Sequence, residues 1–423
     1  MSVVAKPATA SEAPESTLLR YSRWSLFATI GALPLYVVRW HYGPLPTTLL
    51  ETLILITVGL YVIARWRDGW RRPMRTPYDI PILLLLLAGA IAVLVPKDHR
   101  AALGLYRAFF IEPVAIFYVA TDLLRRAQDM RRAIVALAIG SSVFAVLNLI
   151  AVVQALVNHQ FHVGSAPNAL YGDANYVAMY LEPPVAFAVA LLLFDREPRW
   201  RWMGAAWLSI TGLALVLTLS KGSYLALSVL AVVAVLSIRR WKLPLIVALV
   251  VVAFLLSRVP LIATRIATTE NSLVGRFQIY GATSRQLKLH PIFGLGLGGF
   301  DYIYRKLASQ PYPHDIWLTF WVELGLLGLV AFAVIFFGLL WRGWRAWPRT
   351  EGFYRVALWG ALGALVLWGV HGLVDSPYWK NDMSVEFWVV GAIQLACIAS
   401  ITAGSRARDS GPMPGSASRP IEP

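Results

Sequence analysis

The sequence predicts an all-α, polytopic membrane protein with about 12 transmembrane helices and one long extracytoplasmic loop between helices 9 and 10. Three observations carry this. The 423 residues are 58% hydrophobic and only 14% charged. Apolar runs of about 17 to 25 residues, the length that crosses a bilayer core, recur along the chain. The connections between them alternate between strongly basic and poorly charged, the bias that sorts loops to the two sides of a membrane. A formal net charge of +15 would otherwise suggest a polyanion. Here basic loops on one face account for most of it, and no nucleic acid partner is expected.

Taken in order, the spans are read at 23–41, 49–66, 79–95, 101–120, 132–157, 174–194, 203–219, 223–238, 243–257, 315–341, 355–374 and 384–402. An even number puts both termini on one side. The basic connections hold Arg65, Arg67, Arg71, Arg72 and Arg75, then Arg125, Arg126, Arg131 and Arg132. Next come Arg196, Arg199 and Arg201, then Arg239, Arg240 and Lys242, and finally Arg342, Arg345, Arg349 and Arg355. These define the cytoplasmic side, which both termini share. Residues 1–22 and 403–423 are expected as disordered tails around a transmembrane domain over 23–402, and the first has no apolar segment of signal-peptide type. The single cysteine, Cys397, lies in the last apolar run, which rules out a disulfide framework within one chain.

The outer connections are short and poorly charged, except for residues 258–314. This segment carries Arg258, Arg265, Arg276, Arg285, Lys288, Arg305 and Lys306 against Glu270 and Asp301. The positive-inside bias disfavours so many cations on an outer face, so they imply an anionic substrate or, more blandly, anionic lipid headgroups. Within it, the stretch from Arg276 to Leu289 is expected as a helix lying on the membrane, weakened by Gly281. The run Gly294 to Gly299 formally contains G-x-G-x-x-G, but lacks the βαβ setting of a dinucleotide site and reads as a tight turn.

Polar groups in or at the rim of the spans are costly, so each is a candidate site. Arg107 and Glu112 are five apart, a spacing that does not put them on one α-helical face, so Arg107 either faces an interior cavity or is held by a partner helix. Lys221 lies in a turn between two apolar runs, where a snorkelling lysine is ordinary. His371 and Asp375 are four apart, and can share a face and hydrogen-bond. His314 and Asp315 stand where the basic segment becomes an apolar helix, with Pro311 and Pro313 stopping helix upstream. Asp315 then falls near the first turn, where exposed amides favour negative charge. Glu323, nine residues after His314, points to the other side of that helix and is expected to pair with a cation elsewhere. His159 and His162 have no third ligand at motif spacing, and no metal site is expected.

The pattern His314-Asp315, nine residues, then Gly325-x-x-Gly328 resembles that of the O-antigen ligase superfamily, which includes lipopolysaccharide ligases, O-antigen polymerases and O-linked oligosaccharyltransferases. Arg276 to Tyr280 ahead of Pro291 to Phe300, Gly172 to Asn175, Thr218 to Gly222, and His371 to Pro377 are also similar to family segments, as is Arg285-x3-Leu289. The resemblance covers about residues 100–400. Asp315 stands where the family has a neutral amide or hydroxyl, and Lys221 where it has arginine, keeping the charge but not the bidentate geometry.

The resemblance implies transfer of a glycan from an undecaprenyl diphosphate-linked donor to an acceptor hydroxyl, at the outer face of the bacterial cytoplasmic (inner) membrane. The acceptor would be lipid A-core, a growing glycan or a protein; membrane lipids are further partners, and no cofactor is implied. Catalysis is assigned to His314 and Asp315, with His314 taking the acceptor proton. Diphosphate binding falls to Arg276, Arg285 and Lys221 in place of a metal ion. Asn175, Glu323, His371, Asp375 and Arg107 are candidate supports. A polymerase acting on a second lipid-linked glycan is the nearest alternative. A transporter is disfavoured, because residues 1–210 and 211–423 do not repeat one another.

Overall fold

Long apolar stretches satisfy their backbone internally when helical, the condition for crossing lipid. The computed structural model describes residues 16–43, 45–69, 75–164, 166–238, 242–267, 269–301 and 312–409. Most of both predicted tails, together with Arg71, Arg72, Arg239, Arg240, Arg305 and Lys306, lies outside the described residues.

The helices are α1 (Thr17–Gly31), α2 (Leu49–Arg67), α3 (Asp79–Val93), α4 (His99–Leu123), α5 (Ala127–Val157), α6 (Ala174–Phe194) and α7 (Pro198–Leu217). They continue as α8 (Lys221–Ser237), α9 (Lys242–Ser257), α10 (Pro260–Ala267), α11 (Thr269–Leu289), α12 (Ile316–Ala346), α13 (Gly352–His371) and α14 (Asn381–Asp409). Among the described residues, 8 helices are long and apolar enough to cross a membrane: α2, α4, α5, α6, α7, α12, α13 and α14. Shorter apolar helices cover the stretches read as spans three, eight and nine.

Several boundaries differ from the sequence reading. Helix α1 begins at Thr17, inside the segment read as a tail, because the Ser16 side chain caps it by accepting from the Leu19 amide. Helix α14 runs on to Asp409. The described part of segment 258–314 includes the helices α10 and α11, where the sequence suggested one surface helix in a long loop. The chain is also not wholly α: Arg39–Tyr42 and Leu45–Thr48 form an antiparallel hairpin, β1 and β2, between α1 and α2. Thr48 then opens α2 with a capping box completed by Glu51.

At the centre, α6 packs against α7 and α13, and α13 also against α8 and α14. Two prolines, Pro183 and Pro184, interrupt α6. Pro183 has no N–H for the Met179 carbonyl, which instead accepts from Trp368 Nε1 at 3.3 Å, tying α6 to α13. Helix α12 is broken at Gly325, where φ is 71°. A Cβ there would run into the Ile292 carbonyl, so only glycine admits the approach of the preceding turn. That carbonyl accepts from the Leu326 amide at 2.9 Å, replacing the helical bond lost at the break. The fixed spacing between His314 and Gly325 thus marks the length from helix start to kink.

Candidate active site

Helix α12 starts at Ile316 because Asp315 caps it: its Oδ1 accepts from the Leu318 amide at 2.8 Å. Burial raises the Asp315 carboxyl above its ordinary value, against the pull of the Leu318 and Trp317 amides. Asp315 therefore serves the helix end, and a different carboxylate pairs with the histidine. His314 Nδ1 lies 3.1 Å from Asp375 Oδ1. Ionised Asp375 only accepts, so Nδ1 carries the proton and Nε2 keeps its lone pair. Burial alone would raise the Asp375 carboxyl; the His314 bond and charge, nearby His371 and the Ser376 amide outweigh it and hold it below the usual range.

His314 has φ 58°, a conformation costing an L-residue of order 1–3 kcal/mol that persists only where neighbours enforce it. Three contacts do so. Tyr280 OH donates to the His314 carbonyl at 2.9 Å, the Ile316 amide donates to the Gly372 carbonyl at 2.8 Å, and Thr319 Oγ1 lies 2.7 Å from Ser376 Oγ. Helix α11 and the segment after α13 are thus both fastened to the histidine. Burial pushes the Tyr280 hydroxyl up to about 12, helped by Asp315 and Asp375 and opposed by Arg276, which keeps it a donor.

Arg276 is one turn before Tyr280 on α11, hence on the same face. Its Nε is buried with no hydrogen-bond partner among the described residues. Lys221, at the start of α8, lies within electrostatic reach of Arg265 and Arg276. Arg265 itself donates to the Leu219 carbonyl at 3.1 Å, in the turn that precedes Lys221. Three cations from α8, α10 and α11 therefore converge beside the His314–Asp375 pair. Arg285 does not join them: nine positions after Arg276 it falls on the opposite side of α11, and it is exposed.

His371 and Asp375 do not bond side chain to side chain, contrary to their four-residue spacing. Helix α13 ends at His371, so its ring points inward, where Nδ1 lies 2.6 Å from Glu182 Oε1 on α6. Ser223 Oγ donates to the same oxygen at 2.9 Å. Gly222 permits this, since a Cβ there would stand 2.6 Å from His371 Nε2. Glu182 thus joins the turn bearing Lys221 to the segment bearing Asp375. The sequence reading passed over it, although a carboxylate inside an apolar run is itself a signal.

The other candidates are placed as follows. Asn175 lies on the first turn of α6, its amide bonded to the capping Asp173 at 2.7 Å. Among the described residues Glu323 pairs with no cation: it accepts from the Gly298 and Phe300 amides, pinning the glycine-rich turn to α12. Arg107 is both held by a partner helix and cavity-lining, since Nη2 donates to Glu51 of α2 at 2.9 Å. It also lies 3.3 Å from Glu112 Oε1, because residues 107–111 form a π-turn, in which positions five apart become neighbours. Against protein-family models, residues 204–333 match the one described as O-antigen ligase. That segment includes Lys221, Arg265, Arg276 and His314. No curated protein matches the chain.

Proposed function

On the premise that the chain belongs to the O-antigen ligase superfamily through residues 204–333, we propose that it moves a glycan from an undecaprenyl diphosphate carrier to an acceptor hydroxyl at the outer face of the bacterial inner membrane. The observation that carries this is the His314–Asp375 pair beside a cluster of three cations. His314 Nε2 takes the proton of the acceptor hydroxyl as its oxygen bonds to the anomeric carbon. The bond from that carbon to the phosphate oxygen breaks, and its electrons leave with the diphosphate. Arg276 and Lys221, with Arg265 behind them, stabilise the charge that develops there. Asp375 holds the imidazole in the productive tautomer and stabilises the imidazolium that forms, as the carboxylate of a catalytic triad does.

Arg276 remains the main phosphate ligand and Arg285 leaves the set, because the two lie on opposite sides of α11. Asp315 acts indirectly, by fixing where α12 begins. Transfer requires no divalent ion in this scheme. The test is glycan transfer by the purified chain from a defined lipid diphosphate donor, with and without chelator. Transfer in chelator that is lost in His314→Ala supports the scheme, and restoration by magnesium or manganese of an activity that chelator abolishes overturns its metal-free part.

A further inference from the structure

A cavity of about 1190 Å³ lies at the same end of the bundle as His314, between the β1–β2 hairpin, the start of α4 and the segment before α14. None of Lys221, Arg265 or Arg276 lines it. It nevertheless reaches the reaction centre from the other side. Tyr312, two residues before His314, is in its wall, and so is Tyr176, which lies within electrostatic reach of Asp375.

Two features define its chemistry. Five aromatic rings line it, and Trp40, Tyr176 and Tyr312, the half-buried ones, supply flat faces of the kind that receive sugar rings. Four cations, Arg39, Arg100, Arg107 and Lys380, line it against the carboxylates Glu51 and Asp98. Both carboxylates are engaged within the fold: Glu51 accepts from Arg107 and the Thr48 amide, and Asp98 caps α4 through the Ala101 amide. Lys380 Nζ stands 3.7 Å from the Tyr176 ring centroid and donates to Tyr36 OH at 3.1 Å, so it is fixed among the aromatic rings. Asp382, Asp173 and Arg39 all lie within electrostatic reach of it, and of these Arg39 alone lines the cavity.

We propose that this cavity receives the acceptor glycan, and that the acceptor carries an acidic group, a sugar carboxylate or a phosphate ester, bound by Lys380 and Arg39. The inference rests on the transfer reaction proposed above, since it assigns the second substrate of that reaction. The lining itself carries four cations against two carboxylates that the fold already engages, so a neutral glycan would leave an excess of positive charge in the wall. An acidic one fills the wall and brings its hydroxyl toward His314 from the side opposite the diphosphate.

The test uses the full chain in lipid nanodiscs without donor. Three probes are compared by calorimetry: a tetrasaccharide with one glucuronic acid, its carboxyl-reduced counterpart, and the same tetrasaccharide bearing a phosphate monoester instead. An acidic probe is expected to bind about tenfold or more tightly than the reduced one, and whichever acid binds better identifies the source of the charge. Lys380→Met and Arg39→Gln should each remove most of that preference, and Lys380→Arg should retain it. Arg39 is exposed on the hairpin, so its variant keeps the test valid if Lys380→Met fails to fold. Equal binding of acidic and reduced probes overturns the proposal, as does a preference that survives both charge removals. Loss of the preference in phosphatidylglycerol nanodiscs but not in neutral ones also overturns it, making the cavity a lipid headgroup site. The assay involves no transfer. A chain that binds the acidic probe but never transfers glycan refutes the reaction and keeps the site, and one that transfers without discriminating does the reverse.

Discussion

The two ends of the helix bundle both hold carboxylates near positive groups, but with different partners. At one end Asp122 is bonded to Arg65 and, at 2.6 Å, to Arg125, while Tyr61 donates to it at 2.9 Å. Nearby, Asp129 lies 3.7 Å from Arg23 and 3.6 Å from Arg132, and Asp195 lies 3.4 Å from Arg131. At the other end Arg107 still pairs with Glu51 and Glu112, but Asp375 and Glu182 face His314 and His371. Arginine keeps its charge at every accessible pH, so its pairs only fasten helices together. Histidine gives up and takes back a proton, so its pairs can do chemistry. The same electrostatics therefore builds a clamp at one rim and, in the reaction proposed above, a proton-transfer pair at the other.

The comparison is broken most directly at His314. Alanine there should cost roughly 10²- to 10⁴-fold in transfer rate per folded molecule. A normal rate would remove the histidine rim from the chemistry. Asp375→Asn should lower the rate by about 10²-fold or more by releasing the imidazole tautomer, with donor affinity unchanged; a fall in affinity alone would contradict its orienting role. Next in size, Arg276→Ala should weaken donor binding by about ten- to a hundred-fold, and Arg276→Lys should recover part of it. Equal donor affinity in wild type and Arg276→Ala would exclude the arginine from the diphosphate site.

On the arginine rim the expectation reverses. Asp122→Asn should leave the rate per molecule as it was and lower stability by about 1–3 kcal/mol, read from thermal unfolding in detergent. The smallest effect is one of pH. The Asp375 carboxyl is held below its ordinary value in the fold. Its contribution to stability is thus complete above the ordinary carboxyl pKa of about 3.9 and is lost as pH falls through the depressed folded value. The loss of stability in acid should be shallower in Asp375→Asn, and identical acid profiles would argue against the pair. Sidedness is separable: with Cys397 replaced by alanine, single cysteines at Arg67 and His290 should label from opposite faces.

Much of the bundle was legible because apolar run length alone sets where a chain crosses lipid. The hairpin at 39–48 was not, since its pairing is a contact between polar stretches with no apolar period. Within the candidate site, His314 and Arg276 stand out in the sequence through a motif and through charge in the wrong place, which makes them candidates only. The partner of His314 does not: Asp375 is distant in sequence, while Asp315 is adjacent and looked the better neighbour. Helix spacing also misled twice. It separated Arg107 from Glu112, which a π-turn brings together, and it suggested that His371 bonds Asp375 when α13 stops at the histidine. Arg285 failed for the opposite reason, as charge and motif favoured it while the helical phase turned it away.

The break at Gly325 has a bearing on how the protein is made. The acceptor for the Leu326 amide is the Ile292 carbonyl, which the ribosome delivers before α12 exists. Synthesis from the N-terminus therefore puts the glycine-rich turn at 290–298 ahead of the helix that needs it. A variant that holds the segment around Ile292 away from α12 would leave that helix entering the membrane with an exposed amide at Leu326.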